Sequence, residues 1–535
     1  MNTTHMSGGV SELSMRPARS RTSSRVRLIG VAILAGCALV AVIAGVTVAS
    51  AAQTAKPTLT IGVTSGPSAN DPSKVEPDPF DEVNLSLMDA PLLHQNPDGS
   101  ISPGLATSWH YVRGNKNFAL TLRHDARFSD GTRVTAQAVK TWLTYFPKAG
   151  YSLASMLGKV RSIDTPTKWS LVIHLESPNP IIPTILSEGF NWGYVVSPNF
   201  VKKPSLFASQ GGGAGPYTLD QSQTVSGDHY TYVPNRFYYD QGAIKFSKVV
   251  VRVISSASSM LAAAQTGQVD VALGDSTTAK AASSAGLNVV RKPTQTESFV
   301  FLDMAGKLTT AMADPRVRQA LNYAINRAAI AKALFGAYAT PTSEYLSPYG
   351  FDPKYQNYYP YDPTKAKALL AAAGYGSGLT LNFLSATFEG TLGDPVTQAV
   401  AQDLANVGVK LRITSEPTGS AFGAAIFSGK YDGFELLYGG DPMPVHWGFY
   451  LAPKAPFNEH GWSDPTLDKM MISSMRMPFS KAGPVWMQMS ARTVTQAEML
   501  PILLADQIWY VSKHVGGVAF SSNAQVPYPT EWFPR

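Results

Sequence analysis

The chain has 535 residues, 44% of them hydrophobic and 15% charged, with 44 glycines and 38 prolines. That length exceeds one ordinary core and allows a cleft between domains, while sparse charge with abundant turn formers excludes long coiled-coil or disordered stretches. The formal charge of +7 does not describe a nucleic-acid surface: Arg16, Arg19, Arg21, Arg25 and Arg27 against Glu12 account for four of those charges, and no basic stripe with interleaved aromatics follows.

After the basic tail, Leu28 to Ala52 is an uninterrupted run of apolar and small residues without a charge. Such an opening sends a chain to a membrane. Three readings stay open: cleavage after the small residues Ala49-Ser50-Ala51, an uncleaved anchor long enough to span a bilayer, or lipidation at Cys37, since Leu34-Ala35-Gly36-Cys37 resembles a lipobox. All three place the rest of the chain outside the cytoplasm. Cys37 is the single cysteine, so no intramolecular disulfide forms and stability must come from core size.

Residues 59–63, LTIGV, read as an apolar strand followed by a polar, Pro-rich loop to Phe80 that suits a cleft mouth. Apolar residues recur at helical spacing over 83–93, and NPDGS at 96–100 makes a turn before LATSWHYV and the strand FALTLR. Asp130-Gly131 gives a hairpin turn, Thr135 a helix cap, and Ala138, Val139, Trp142 and Leu143 the buried face of that helix. Another strand spans 169–178. The glycines of GGGAGPYTL, 211–219, carry no P-loop and are expected to permit unusual backbone angles at a crossover between domains. A strand at 246–254, a helix at 260–267 and a strand at 268–273 make a parallel α/β unit.

The stretch 314–335, DPRVRQALNYAINRAAIAKALF, reads as one helix capped by Asp314, with Pro315 at its first position, an apolar stripe from Val317 to Ala328, and Gly336 closing it. It is a packing helix that touches no ligand. Three more helices open with Asp-Pro, at 362, 394 and 464; the second ends at Gly408 and hands over to a buried strand, VKLRIT. No internal repeat is present, so solenoids and propellers are excluded.

In their order along the chain, GSISPGLATSWHYV, FALTLRHDARFSDGTRVTAQAVKTWL, GGGAGPYTL, the 246–273 segment with Gly267 and Asp270, and the 314–335 helix resemble the family 5 solute-binding proteins of ABC transporters, the peptide-, dipeptide- and nickel-binding group. The resemblance runs from about Leu59 to the carboxyl terminus. It implies an α/β, two-lobed periplasmic-binding-protein-like fold with an additional inserted domain, a central ligand cleft and a hinge. The implied borders are a signal or anchor at 1–56, a first lobe from 57–100, 199–298 and 506–535, an inserted domain at 101–198, and a second lobe at 299–505.

Catalytic motifs are missing: there is no HExxH and no GxSxG, the nearest string being Gly62 to Gly66 with threonine at its centre. His446 and His460 lie in one lobe, but two histidines alone rarely make a metal site. The strongest site candidate is 434–451, FELLYGGDPMPVHWGFYL, an apolar strand followed by Gly439-Gly440 and Asp441, where ligands of α/β sheets bind. It resembles the family's W-x-x-D element, with Tyr438 at the tryptophan and Asp441 at the acid; in peptide-binding members that carboxylate pairs with the peptide's ammonium. Trp447, Trp509 and Tyr510 are candidates for the flat apolar walls of a permissive pocket, the last two in a late strand crossing back to the first lobe.

The expected protein is an extracytoplasmic, monomeric binding protein, without cofactor or catalysis, that closes on an oligopeptide or dipeptide and delivers it to a membrane permease. A nickel complex, oligosaccharide or haem is the alternative guest; a secreted hydrolase and a sensor or cell-wall interaction protein are the rivals.

Overall fold

The computed structural model describes residues 56–75, 79–112, 114–149, 152–345, 350–387, 393–439, 441–520 and 526–535. The leader expectations, Cys37 among them, and Gly440 lie outside these residues.

Among the described residues an eleven-stranded sheet runs through the chain. Two long strands, Asn288–Phe301 and Met499–Val511, form its centre and pair antiparallel from Asn288 opposite Val511 to Val300 opposite Met499. One end of the pair carries Val271–Gly274, Thr58–Val63 and Lys248–Val253, where Thr58–Val63 lies parallel between the other two. The expected parallel unit is therefore present, with the first strand of the fold between its two strands. The other end carries Gly433–Tyr438, Leu379–Ala386 and Val409–Glu416, again a parallel set. The implied lobe borders at 298/299 and 505/506 fall inside the two long strands, which thus belong to both halves. Their ladder is irregular at Pro293/Gln295 and Glu297/Ser298, since proline offers no N–H to a partner strand.

Val409–Glu416, expected to be buried, is instead the edge strand, and of its side chains only Val409 is fully buried. Hydrophobicity alone does not separate an edge strand with one covered face from a central one.

A separate antiparallel sheet, in the order Ala106–Tyr111, Asn117–Leu122, Ser170–Leu175, Val160–Thr167, lies within the expected insertion. The helix Ala136–Tyr145 covers it. As expected, Thr135 caps this helix by accepting from the Ala138 N–H at 3.2 Å, and Ala138, Val139, Trp142 and Leu143 are buried.

The 314–335 segment is two helices rather than one. Pro315–Ala324 is capped by Asp314 as expected, but Ile325 is extended, and Asn326 caps a second helix, Arg327–Phe335, by accepting from the Ala329 N–H at 3.1 Å. Asp403 holds the break open by accepting from the Asn326 N–H at 2.8 Å. The polar residues of these helices explain their packing. Arg318, Asn322 and Arg327 are buried and donate to the carbonyl oxygens of Ala497, Met499 and Pro501 at 3.0, 3.1 and 2.7 Å, alternate residues where the second long strand begins. The buried arginines are tolerated because every guanidinium nitrogen finds an acceptor.

The 211–215 glycines serve close approach, not unusual dihedrals. None has positive φ. A Cβ on Gly212 would lie 2.6 Å from the Phe200 ring, on Gly213 1.8 Å from Asp89 Oδ1, and on Gly215 2.4 Å from the Met88 carbonyl carbon.

Candidate functional site

Gly433–Tyr438 pairs antiparallel with residues 296–301 of the first long strand and delivers the candidate segment. At Gly439 a Cβ would stand 2.7 Å from the Thr294 carbonyl oxygen and 2.9 Å from Gln295 Cα, so the chain passes only because no side chain is there. Asp441 follows, 3% exposed, then a short helix, Met443–His446, and one π-helical turn, Trp447–Leu451. Such turns interrupt regular helix geometry and recur at functional sites.

Aromatic rings hold this turn. The His446 ring lies 4.3 Å from that of Tyr345 and 5.0 Å from that of Tyr450, which stacks on Phe457 at 5.2 Å. Burial pushes the His446 imidazole down to about 3, so it is neutral at physiological pH. Burial pushes the Tyr450 hydroxyl up, and Asp441 adds to that effect. Trp447 is half-buried, and its Nε1–H has no acceptor among the described residues.

Beside the turn is a cavity of about 260 Å³. Ser155, Met156, Asn179 and Ile181 wall one side; Pro444, Val445, Gly448, Phe449, Pro456 and Met475 wall the other. No charged side chain lines it. Asp441 and Trp447 bracket Pro444 and Val445 in the sequence. Next to the cavity, Asn115 donates to the Met475 and Met477 carbonyl oxygens, joining the four-stranded unit to the second half of the chain.

Asp441, Gly439 and Trp447 thus share one short segment with the cavity wall. Tyr438 ends the strand, and its side chain lies outside the described residues. Trp509 and Tyr510 are elsewhere. Trp509 is fully buried and meets Trp532 edge-on at 6.3 Å; Tyr510 is 1% exposed and its hydroxyl bonds Thr278 at 2.7 Å, in a separate apolar cluster. Strand alternation sends these neighbours to opposite faces of the sheet, and each face has its own core.

The sequence reading missed Met156, Ile181, Met475 and Asn115. It also missed Glu297 and Glu435, buried on neighbouring strands, where burial pushes both carboxyls up. No local motif marks residues brought together from distant segments. Among the described residues no group of three His, Cys, Asp or Glu side chains is placed to hold a metal ion, and His446 is committed to its ring stack.

The family described as bacterial extracellular solute-binding proteins, family 5 Middle, matches residues 100–457. The glutathione-binding protein GsiB of Salmonella typhimurium is 29% identical over 354 residues, 64% of this chain and 67% of that protein. Among solved structures, the binding protein AgaA of A. tumefaciens R10 with agropinic acid superposes with a TM-score of 0.75 at 23% identity, covering 87% of this chain and 96% of that one. DppA of Helicobacter pylori with the peptide STSA gives 0.73 at 19% identity, covering 89% and 98%.

The chain belongs to the family 5 extracellular solute-binding proteins, and it is a substrate-binding protein of the ABC-importer type. Proteins of this family work outside the cytoplasm with membrane permeases. Among the described residues no helix is long and apolar enough to cross a membrane.

Proposed function

We propose that the chain captures a short peptide between its two halves and releases it, unaltered, to an ABC permease. The cavity beside the Trp447–Leu451 turn carries this reading, because its walls come from both sides of the junction and hold no charge. A peptide fits such a place: Asp441 would accept from its ammonium, the Trp447 Nε1–H would donate to a backbone carbonyl, and an apolar side chain would enter the cavity. Glutathione, named for GsiB, and the peptide STSA bound by DppA agree in class, while AgaA holds agropinic acid. Closure is favoured only by contacts that the open form lacks, and bound peptide plus the Asn115 bonds are such contacts. Micromolar capture asks about 8 kcal/mol net, a scale within reach of peptide hydrogen bonds and one ion pair. The protein acts as a monomer outside the cytoplasm, its leader cleaved near Ala51, kept as an uncleaved membrane anchor, or lipidated at Cys37.

The test is incubation of the purified chain with a defined peptide library, followed by mass spectrometry of bound and free fractions. Intact peptides retained on the protein support the reading. Cleaved products would establish a hydrolase, and recovery of only a sugar, metal complex or haem would keep the class and overturn the peptide.

A further inference from the structure

The cavity beside the Trp447–Leu451 turn has spent its polar atoms. Asn179 is the one buried polar side chain of its wall: Nδ2 donates to the Met156 and Leu157 carbonyl oxygens at 3.2 Å each, and Oδ1 accepts from the Ile181 N–H at 3.1 Å. Ser155, the other polar side chain of the wall, is exposed and uncharged. The backbone carbonyl oxygens of Ile181, Phe449 and Met475 already accept hydrogen bonds, from Ile185, Phe457 and Asn115. What is left to meet a guest is carbon and sulfur, from Ile181, Val445, Phe449 and the thioethers of Met156 and Met475. Methionine is unbranched and polarisable, so it adapts to irregular shapes and packs well on aromatic rings. A charged group entering such a place would lose its water and find no partner. The volume sets the size: a cavity of about 150 Å³ admits benzene, so about 260 Å³ has room for a phenylalanine or leucine side chain.

One wall residue has no side chain. Gly448 lies inside the π-helical turn, between Trp447 and Phe449. Its φ is not positive, and a Cβ there would meet nothing within 4 Å. Gly439 must be glycine because backbone crowds it. Nothing comparable acts at Gly448, where glycine gives up more conformational freedom on folding than any other residue would. What its bare Cα does is leave space open at the cavity wall.

We propose that this cavity is a selective subsite for one large apolar side chain, of phenylalanine or leucine size, that it rejects charged side chains, and that Gly448 determines the size it admits. The subsite presupposes the peptide reading above and narrows the substrates to peptides with an aromatic or branched aliphatic residue at one fixed position.

The test uses the full chain in detergent and alanine tripeptides in which each position in turn carries phenylalanine, leucine, lysine or glutamate, with affinities measured by calorimetry. At one position phenylalanine and leucine are expected to bind about tenfold or more tightly than alanine. Lysine and glutamate there are expected to bind about a hundredfold or more weakly than phenylalanine. Gly448→Leu puts a side chain into the open space and is expected to cut the phenylalanine-to-alanine ratio at that position by about tenfold, with Tm unchanged or raised. Gly448→Ala, whose single added carbon has room, is expected to cut it by about threefold and carries the test if the leucine variant does not fold. Binding without positional preference, acceptance of lysine or glutamate on a par with phenylalanine, or an unchanged ratio in a folded Gly448 variant overturns the subsite and leaves peptide capture standing. No binding by any peptide of the set overturns both.

Discussion

Asn115 and Met475, 360 positions apart, are tied directly: the Asn115 side-chain amide donates to the Met475 carbonyl oxygen at 2.8 Å and to that of Met477 at 2.6 Å. The bond joins the antiparallel four-stranded unit to the second half of the chain beside the apolar cavity. On the proposed clamp mechanism this bond belongs to the closed form, and Asn115→Ala removes stabilisation from that form alone. Two hydrogen bonds at about 1 kcal/mol each predict a roughly 10- to 30-fold loss of peptide affinity with little change in thermal stability. Calorimetry with scattering measurements of the radius of gyration checks this, and an unchanged affinity would dismiss the latch.

Asp441→Asn keeps the shape of the side chain and removes its charge. Peptides with a free amino terminus are expected to bind about 10- to 100-fold more weakly, as for loss of a charged hydrogen bond, while amino-acetylated peptides are unaffected by the substitution. Equal losses for both peptide types would place the role of Asp441 elsewhere.

Gly439→Ala puts a Cβ within 2.7 Å of the Thr294 carbonyl oxygen, a backbone atom that cannot swing away. The chain must shift where it delivers Asp441. The expected result is about 1–3 kcal/mol of lost stability together with weaker peptide binding, both measurable by urea denaturation and titration. A variant as stable as the natural chain would show that the segment has room to move.

Glu498 gives the pH dependence. It is 1% exposed, neither carboxylate oxygen has a partner among the described residues, and burial pushes its pKa up to about 8. The folded state then binds a proton that the unfolded state has lost, so stability falls as pH rises from the unfolded carboxyl value near 4.5 towards 8. Glu498→Gln should flatten that fall, gaining on the order of 3 kcal/mol relative to the natural chain between pH 5 and pH 8. Parallel pH slopes for the two proteins would contradict this.

How much of the molecule could be read beforehand varies by element. Caps were legible at Thr135, Asp314 and Asp464, because an Asx or hydroxyl side chain before a helix satisfies amides only one turn away. The break at Ile325 was not, since it depends on Asp403, a residue from another helix. The glycines at 211–215 announced a special backbone, but their reason is the bulk of Met88, Asp89 and Phe200 pressed against them. Trp509 and Tyr510 looked like pocket walls because aromatic residues serve cores and clefts alike; only the sheet faces separate the two uses.

Local pattern was enough to specify the α/β class, the capped helices, the strand that ends at Asp441, and, through the order of its motifs, the family. Those features depend on neighbours a few residues away. The cavity wall, the Asn115 bond, the two strands shared by both halves and the buried carboxyl of Glu498 arise from residues far apart in the chain. Only tertiary packing decides them, because burial and the loss of water are properties of the assembled molecule and no stretch of sequence carries them alone.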